Sequence, residues 1–183
     1  MKFRFLLSVI LFTGWYCRAQ QPDADLHKAI MLQANSMAKA FIDKDYDTFF
    51  QFTHPAVIRV MGGAEKMKKE TIASLKELEK ETNVKFLSVN FGELSKIETS
   101  GEELQCTFPQ MIEMKVPGGR LTAITTLIAL SENGGKNWYF IDASGNSLEA
   151  MQTLIPSLSP NLQIPEAPDP IFEADNPAPQ EKE

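Results

Sequence analysis

VKFLSVNFGEL at 84–94, ELQCTFPQMIEMKV at 103–116, RLTAITTLIALS at 120–131 and KNWYFIDA at 136–143 follow one another with little between them. In each, apolar and polar residues tend to alternate, the two-residue period that sends successive side chains to opposite faces of a strand. The links carry Ser100-Gly101, Pro117-Gly118-Gly119 and Glu132-Asn133-Gly134-Gly135. Links this short join antiparallel hairpins, whereas parallel strands need a longer crossover. The stretch therefore predicts a four-stranded antiparallel meander. Pro109 falls inside the second strand, where it removes a ladder donor and predicts a bulge or bend. Leu104, Cys106 and Phe108 share one phase of that strand, which predicts a buried, inert thiol. Gln110 continues the same phase and points inward unless a bulge at Pro109 turns it out.

Upstream of Asn83 the period is near 3.6. Residues 64–82 carry Ala64, Met67, Thr71, Leu75 and Leu78 on one stripe and Lys and Glu on the other face, which reads as a helix with a solvated side. Residues 25–43 place apolar side chains at 26, 30, 34, 37 and 41, a second long helix. Between them, 46–53 reads as a short aromatic helix or turn ended by His54-Pro55, and 56–61 (AVIRVM) as a short β-rich run stopped by Gly62-Gly63. Downstream, 146–155 predicts a last short helix capped by Asn146 or Ser147. Most of the eleven prolines lie at or beyond Pro156. Residues 156–183 read as a Pro-rich acidic tail, mobile from about residue 166, with Leu158, Leu162 and Ile164 spaced to lie along a surface groove.

The first residues, MKFRFLLSVILFTGWYCRAQ, read as a signal peptide over 1–19: basic Lys2 and Arg4, an apolar core too short to span a bilayer, and small residues before a cleavage point after Ala19. Trp15-Tyr16 before Cys17 does not resemble a lipobox, so a lipid-anchored form is not expected. The expectation is an exported protein, periplasmic or extracellular, with no stable membrane span after cleavage. Its mature form has Cys106 as sole cysteine and hence no internal disulfide. The formal net charge of −6 argues against a nucleic-acid partner. With 43% hydrophobic and 23% charged residues the chain can bury a core, and 20–155 is read as a single α+β domain.

Helix, short helix, short strand, helix and an antiparallel meander, taken over about residues 24–145, resemble the nuclear transport factor 2-like superfamily. The resemblance rests on AFIDKDYDTFFQF (40–52), VIRVMGG (57–63) and the last strand KNWYFIDAS (136–144). It implies an α+β fold in which helices pack in the concave face of a strongly bent antiparallel sheet, a cone-shaped α+β barrel with a cavity at its wide end. That family holds ketosteroid isomerases, polyketide cyclases, dehydratases and many non-catalytic binding and association domains, so the fold leaves the function open.

An isomerase-like site needs a carboxylate base in apolar surroundings with donors facing it. Asp142 is the candidate, in phase with Trp138 and Phe140; the plainer alternative is a cap on the turn at Ser144-Gly145. Tyr46, Phe50, His54, Gln110, Trp138 and Asp142 are the candidate pocket residues. His54 is titratable near neutral pH, and a polar Gln110 on an apolar face must find a partner or a ligand. No nucleophile triad, phosphate loop or metal-ligand spacing is present, and no cofactor or metal is expected. Binding of a small apolar ligand or a protein partner therefore ranks ahead of two alternatives: an isomerase, dehydratase or cyclase, and a dimerisation or envelope-assembly module with a closed cone. A homodimer is compatible with the first and third readings.

Overall fold

The structure is a computed structural model that describes residues 23–175. The signal-peptide assignment and the end of the acidic tail lie outside the described residues. Helix α1 (Asp23–Ile42) is followed by α2 (Tyr46–Phe49), a 3-10 turn at Phe50–Phe52, α3 (Pro55–Val60) and α4 (Ala64–Thr82). Strands β1 (Lys85–Phe91), β2 (Glu98–Ser100), β3 (Glu103–Val116), β4 (Gly119–Ser131) and β5 (Tyr139–Asp142) come next, then α5 (Leu148–Leu154) and β6 (Ile171–Ala174). The architecture is α+β. The antiparallel sheet has six strands in the order β1-β3-β4-β5, with β2 beside β3 and β6 beside β4, and it does not close on itself.

The two-residue period works on both faces of this sheet. Leu127 and Ala129 of β4 join Cys106, Phe108, Trp138 and Phe140 against Leu26, Ile30, Ala34 and Met37 of α1. Their neighbours Ile128 and Leu130 face the other way and join Ile141, Ala143, Met151 and Ile155. A strand buried on both sides reads as a continuous apolar run, as Leu127–Leu130 does. Each large side chain so buried contributes roughly 1.5–3 kcal/mol.

Residues 55–60 are helical with Met61 as the C-cap, correcting the short strand expected over 56–61. The His54 imidazole accepts the Ala56 amide at the N-cap, and Pro55 occupies the first turn, where its missing N–H costs nothing. This start signal outweighs the weak β preference of Val57, Ile58 and Val60. The aromatic segment ends before His54-Pro55, as expected, with its turn closing at Phe52.

The bulge expected at Pro109 is absent: β3 and β4 pair in unbroken register from Leu104–Ser131 to Val116–Gly119. The irregularity lies in β1, between Phe86 and Ser88. Gly92 N donates to Pro109 O, and Thr107 N donates to Ser95 Oγ, so residues 107 and 109 both face the interval where β1 has ended and β2 has not begun. No strand there asks Pro109 for an amide. A Cβ on Gly92 would lie 3.0 Å from Pro109 Cγ, so glycine is what lets the chain run against the ring.

The first part of the tail lies in a groove, as the spacing of Leu158, Leu162 and Ile164 predicts, and the difference from mobile chain begins beyond residue 166. Leu158 and Leu162 are buried beneath α5. Buried Gln105 fastens this segment, donating to Ser157 O at 2.9 Å and accepting from Ser159 N at 2.8 Å. Farther on, Ile171–Ala174 pairs with residues 119–122 of β4, and Lys115 pairs with Asp175 at 2.5 Å. Composition hides this element because a strand added to an open edge is held by backbone bonds, not by an apolar face.

Helix α4 stands apart from both cores. Of its apolar stripe only Met67 is buried, and Leu78 is exposed. Ion pairs tie it to the body, Lys68 to Asp47 and Lys44 to Glu79.

Candidate functional site

Where α1 ends and the sheet continues, the packing leaves a cavity of about 360 Å³. Met37, Ala38 and Phe41 of α1 and Phe49 of α2 form one wall. Val89, Gln110, Ile112, Leu127 and Phe140, each from its own place in β1, β3, β4 and β5, form the opposite wall. Thr53, Val57 and Asp142 complete its rim. The lining is mostly aliphatic with three phenyl rings: those of Phe41 and Phe49 lie 5.5 Å apart, and Phe140 packs edge-on to Phe108 of the core at 6.1 Å.

The sequence candidates divide over this geometry. Gln110 and Asp142 come together at the cavity. Gln110 is buried and points inward, since the unbroken β3 register keeps it in phase with Cys106 and Phe108. Its Nε2 donates to Thr125 Oγ1 at 3.2 Å. Asp142 is exposed at the rim, and its Oδ1 accepts the Ser144 amide at 2.8 Å and the Ser144 hydroxyl. That carboxylate serves the turn, the plainer of its two readings. Tyr46 lines a neighbouring cleft, and Phe50 packs on Tyr46 and Phe49 away from the cavity. Trp138 is a core residue, 1% exposed, with Nε1 donating to Gly135 O at 3.0 Å.

His54 is buried as the cap of α3. Its Nδ1 accepts from Ala56 N at 3.1 Å, its ring meets Tyr139 edge-on at 5.6 Å, and its Nε2 has no hydrogen-bond partner among the described residues. Glu132 Oε1 lies 3.7 Å from that nitrogen. Burial holds the imidazole below its ordinary pKa, against the opposing pull of Glu132 and Glu103.

Sequence reading missed most of the cavity wall. Phe41 and Met37 belong to an ordinary helix stripe, and Val89, Ile112 and Leu127 to ordinary strand phases. Two polar residues, Gln110 in the wall and Asp142 at the rim, marked the position.

Beside the cavity is a wider cleft of about 500 Å³ between the C-terminal half of α4, the end of α1 and the start of β1. Four lysines line it, Lys44, Lys76, Lys80 and Lys85, with Glu79 and Tyr46. Lys44 (φ 59°) and Asn83 (φ 52°), the non-glycine residues with positive φ among those described, both sit on its wall. Among the described residues no helix is long and apolar enough to cross a membrane, and no group of His, Cys, Asp and Glu is placed to hold a metal ion.

Cys106 lies in the core with no exposure, and burial pushes its thiol up to about 12. A thiol reagent at neutral pH is expected to label it only as fast as the fold opens, with denaturant restoring fast labelling. Rapid labelling of the folded protein would contradict the strand phase.

No protein-family model matches the chain, and comparison with curated proteins finds no match.

Proposed function

We propose that the chain is an exported, non-catalytic binding domain of the nuclear transport factor 2-like kind, a cone-shaped α+β barrel whose wide end takes a small apolar molecule. The observation that carries this reading is the cavity between α1 and the sheet. Its size falls within the range of small-molecule sites, roughly 300–1,000 Å³, and its apolar lining with one inward amide matches their usual make-up. An apolar body would gain by leaving water there, and the Gln110 amide would fix its orientation through a carbonyl or hydroxyl. Asp142 favours binding over isomerisation: its carboxylate is exposed and bonded to Ser144, whereas a general base must face its substrate from apolar surroundings. The export part of the proposal rests on residues 1–20.

The test is a fluorescence titration with the neutral apolar dye N-phenyl-1-naphthylamine. The wild type is expected to bind it saturably. Val89→Trp, which fills the cavity from a half-buried position on β1, is expected to weaken binding at least about tenfold while the circular dichroism spectrum is kept. Equal binding by both proteins, or none by the wild type, would overturn the reading.

A further inference from the structure

Phe41 borders both spaces: its ring packs on Phe49 on the cavity side and on Phe86, 4.9 Å away, on the cleft side. Along α1, Ala38 faces the cavity and Ile42 the cleft; along β1, Val89 faces the cavity and Lys85 the cleft. The two spaces therefore follow one another down the α1–β1 seam, offset by on the order of 10 Å at the helix and strand rises. One is apolar and the other is lined with lysine, on a chain whose net charge is −6.

The lysines are not all accounted for by structure. Lys44 is bonded to both carboxylate oxygens of Glu79 at 2.7 Å. Lys76, Lys80 and Lys85 make no ion pair among the described residues. Lys80 alone would be explained by its place in the last turn of α4, where a cation complements the helix dipole. Lys76 stands a turn earlier and Lys85 belongs to another element. Lys44 also occupies a left-handed position closing α1, where glycine or asparagine would be less strained, so its side chain is held at this cleft against a local backbone preference.

We propose that the ligand is an amphipathic acid, its apolar body in the cavity and its single anionic head in the lysine cleft. This rests on the cavity reading above and adds the class of ligand. The lysines of the cleft would draw the head there in spite of the chain's net charge of −6.

The test compares two dyes, N-phenyl-1-naphthylamine, which is neutral, and 1-anilinonaphthalene-8-sulfonate, which carries one negative charge. The proteins are the wild type and the double variant Lys76→Glu/Lys80→Glu, both changes at exposed positions of α4. The variant is expected to bind the sulfonate about tenfold more weakly and the neutral dye as before. Decanoate is expected to displace the sulfonate from the wild type, and inorganic phosphate at the same concentration is not. Parallel changes for both dyes, or no change for either, would overturn the assignment of the head to this cleft while leaving the cavity reading in place. Displacement by phosphate would replace the amphipathic acid with a bare anion site. Failure of the wild type to bind even the neutral dye would overturn the cavity reading itself and this proposal with it.

Discussion

Trp138→Ala is expected to cost about 3–5 kcal/mol, the range for removing a fully buried aromatic side chain. The ring is 1% exposed and lies in the cluster with Leu26, Ile30, Cys106 and Phe108. Its Nε1 donates to Gly135 O, and its backbone N donates to Gln33 Oε1 at 2.9 Å, so the residue joins the β4–β5 link, the sheet and α1. The packing around it is close, for a Cβ on neighbouring Gly135 would lie 2.2 Å from Leu26 Cδ2 and 3.7 Å from the Trp138 ring. Trp138→Phe keeps most of the burial and loses the indole bond, for an expected cost of about 1–2 kcal/mol. Urea unfolding followed by circular dichroism measures both. A loss under about 1.5 kcal/mol for the alanine variant would remove Trp138 from the core it is assigned to here.

Acid is expected to weaken the fold through His54. Burial lowers its pKa in the folded state below the unfolded value of 6.5. The folded protein thus prefers the neutral ring, whose Nδ1 must accept the Ala56 amide to cap α3. This contribution is complete above pH 6.5 and is lost as pH falls from there toward the folded-state pKa, because the unfolded chain takes up the proton first. Glu132 and Glu103 oppose the shift and Arg59 adds to it. His54→Asn keeps a capping acceptor and removes the titration, so its stability should be flatter than the wild type's between pH 6.5 and 5. His54→Ala loses the cap and the packing against Tyr139, for about 1–3 kcal/mol at pH 7. Parallel pH profiles for wild type and His54→Asn would show that the imidazole titrates normally.

The meander was legible because its signals are local. Gly101, Gly118, Gly134 and Gly135 adopt the positive φ that hairpin links require, and the strands between them keep one period throughout. Asn83 likewise closes α4 in the left-handed conformation. What was not legible depended on partners distant in sequence. Val57, Ile58 and Val60 have strand-like side chains, and their helix follows from one imidazole bond two residues upstream. Pro109 was read as breaking a ladder, but the strand beside it stops at that point, which residue 109 cannot announce. The cavity is bounded by Phe41, Phe49, Val89 and Leu127, each indistinguishable in its own segment from a residue that packs without a gap. Gln110 was an exception, since an amide among apolar neighbours declares itself without knowledge of the fold.

The cover of the second sheet face has a consequence for the order in which the chain becomes a protein. Ile128, Leu130 and Ile141 pack with Ala56 but are covered chiefly by α5, Leu158 and Leu162, all later in sequence, and the flank of β4 at Gly119–Thr122 is met by Ile171–Ala174. A chain synthesised from its amino end therefore carries a sheet with one greasy side and one bare margin until the segment from Leu148 to Ala174 has followed.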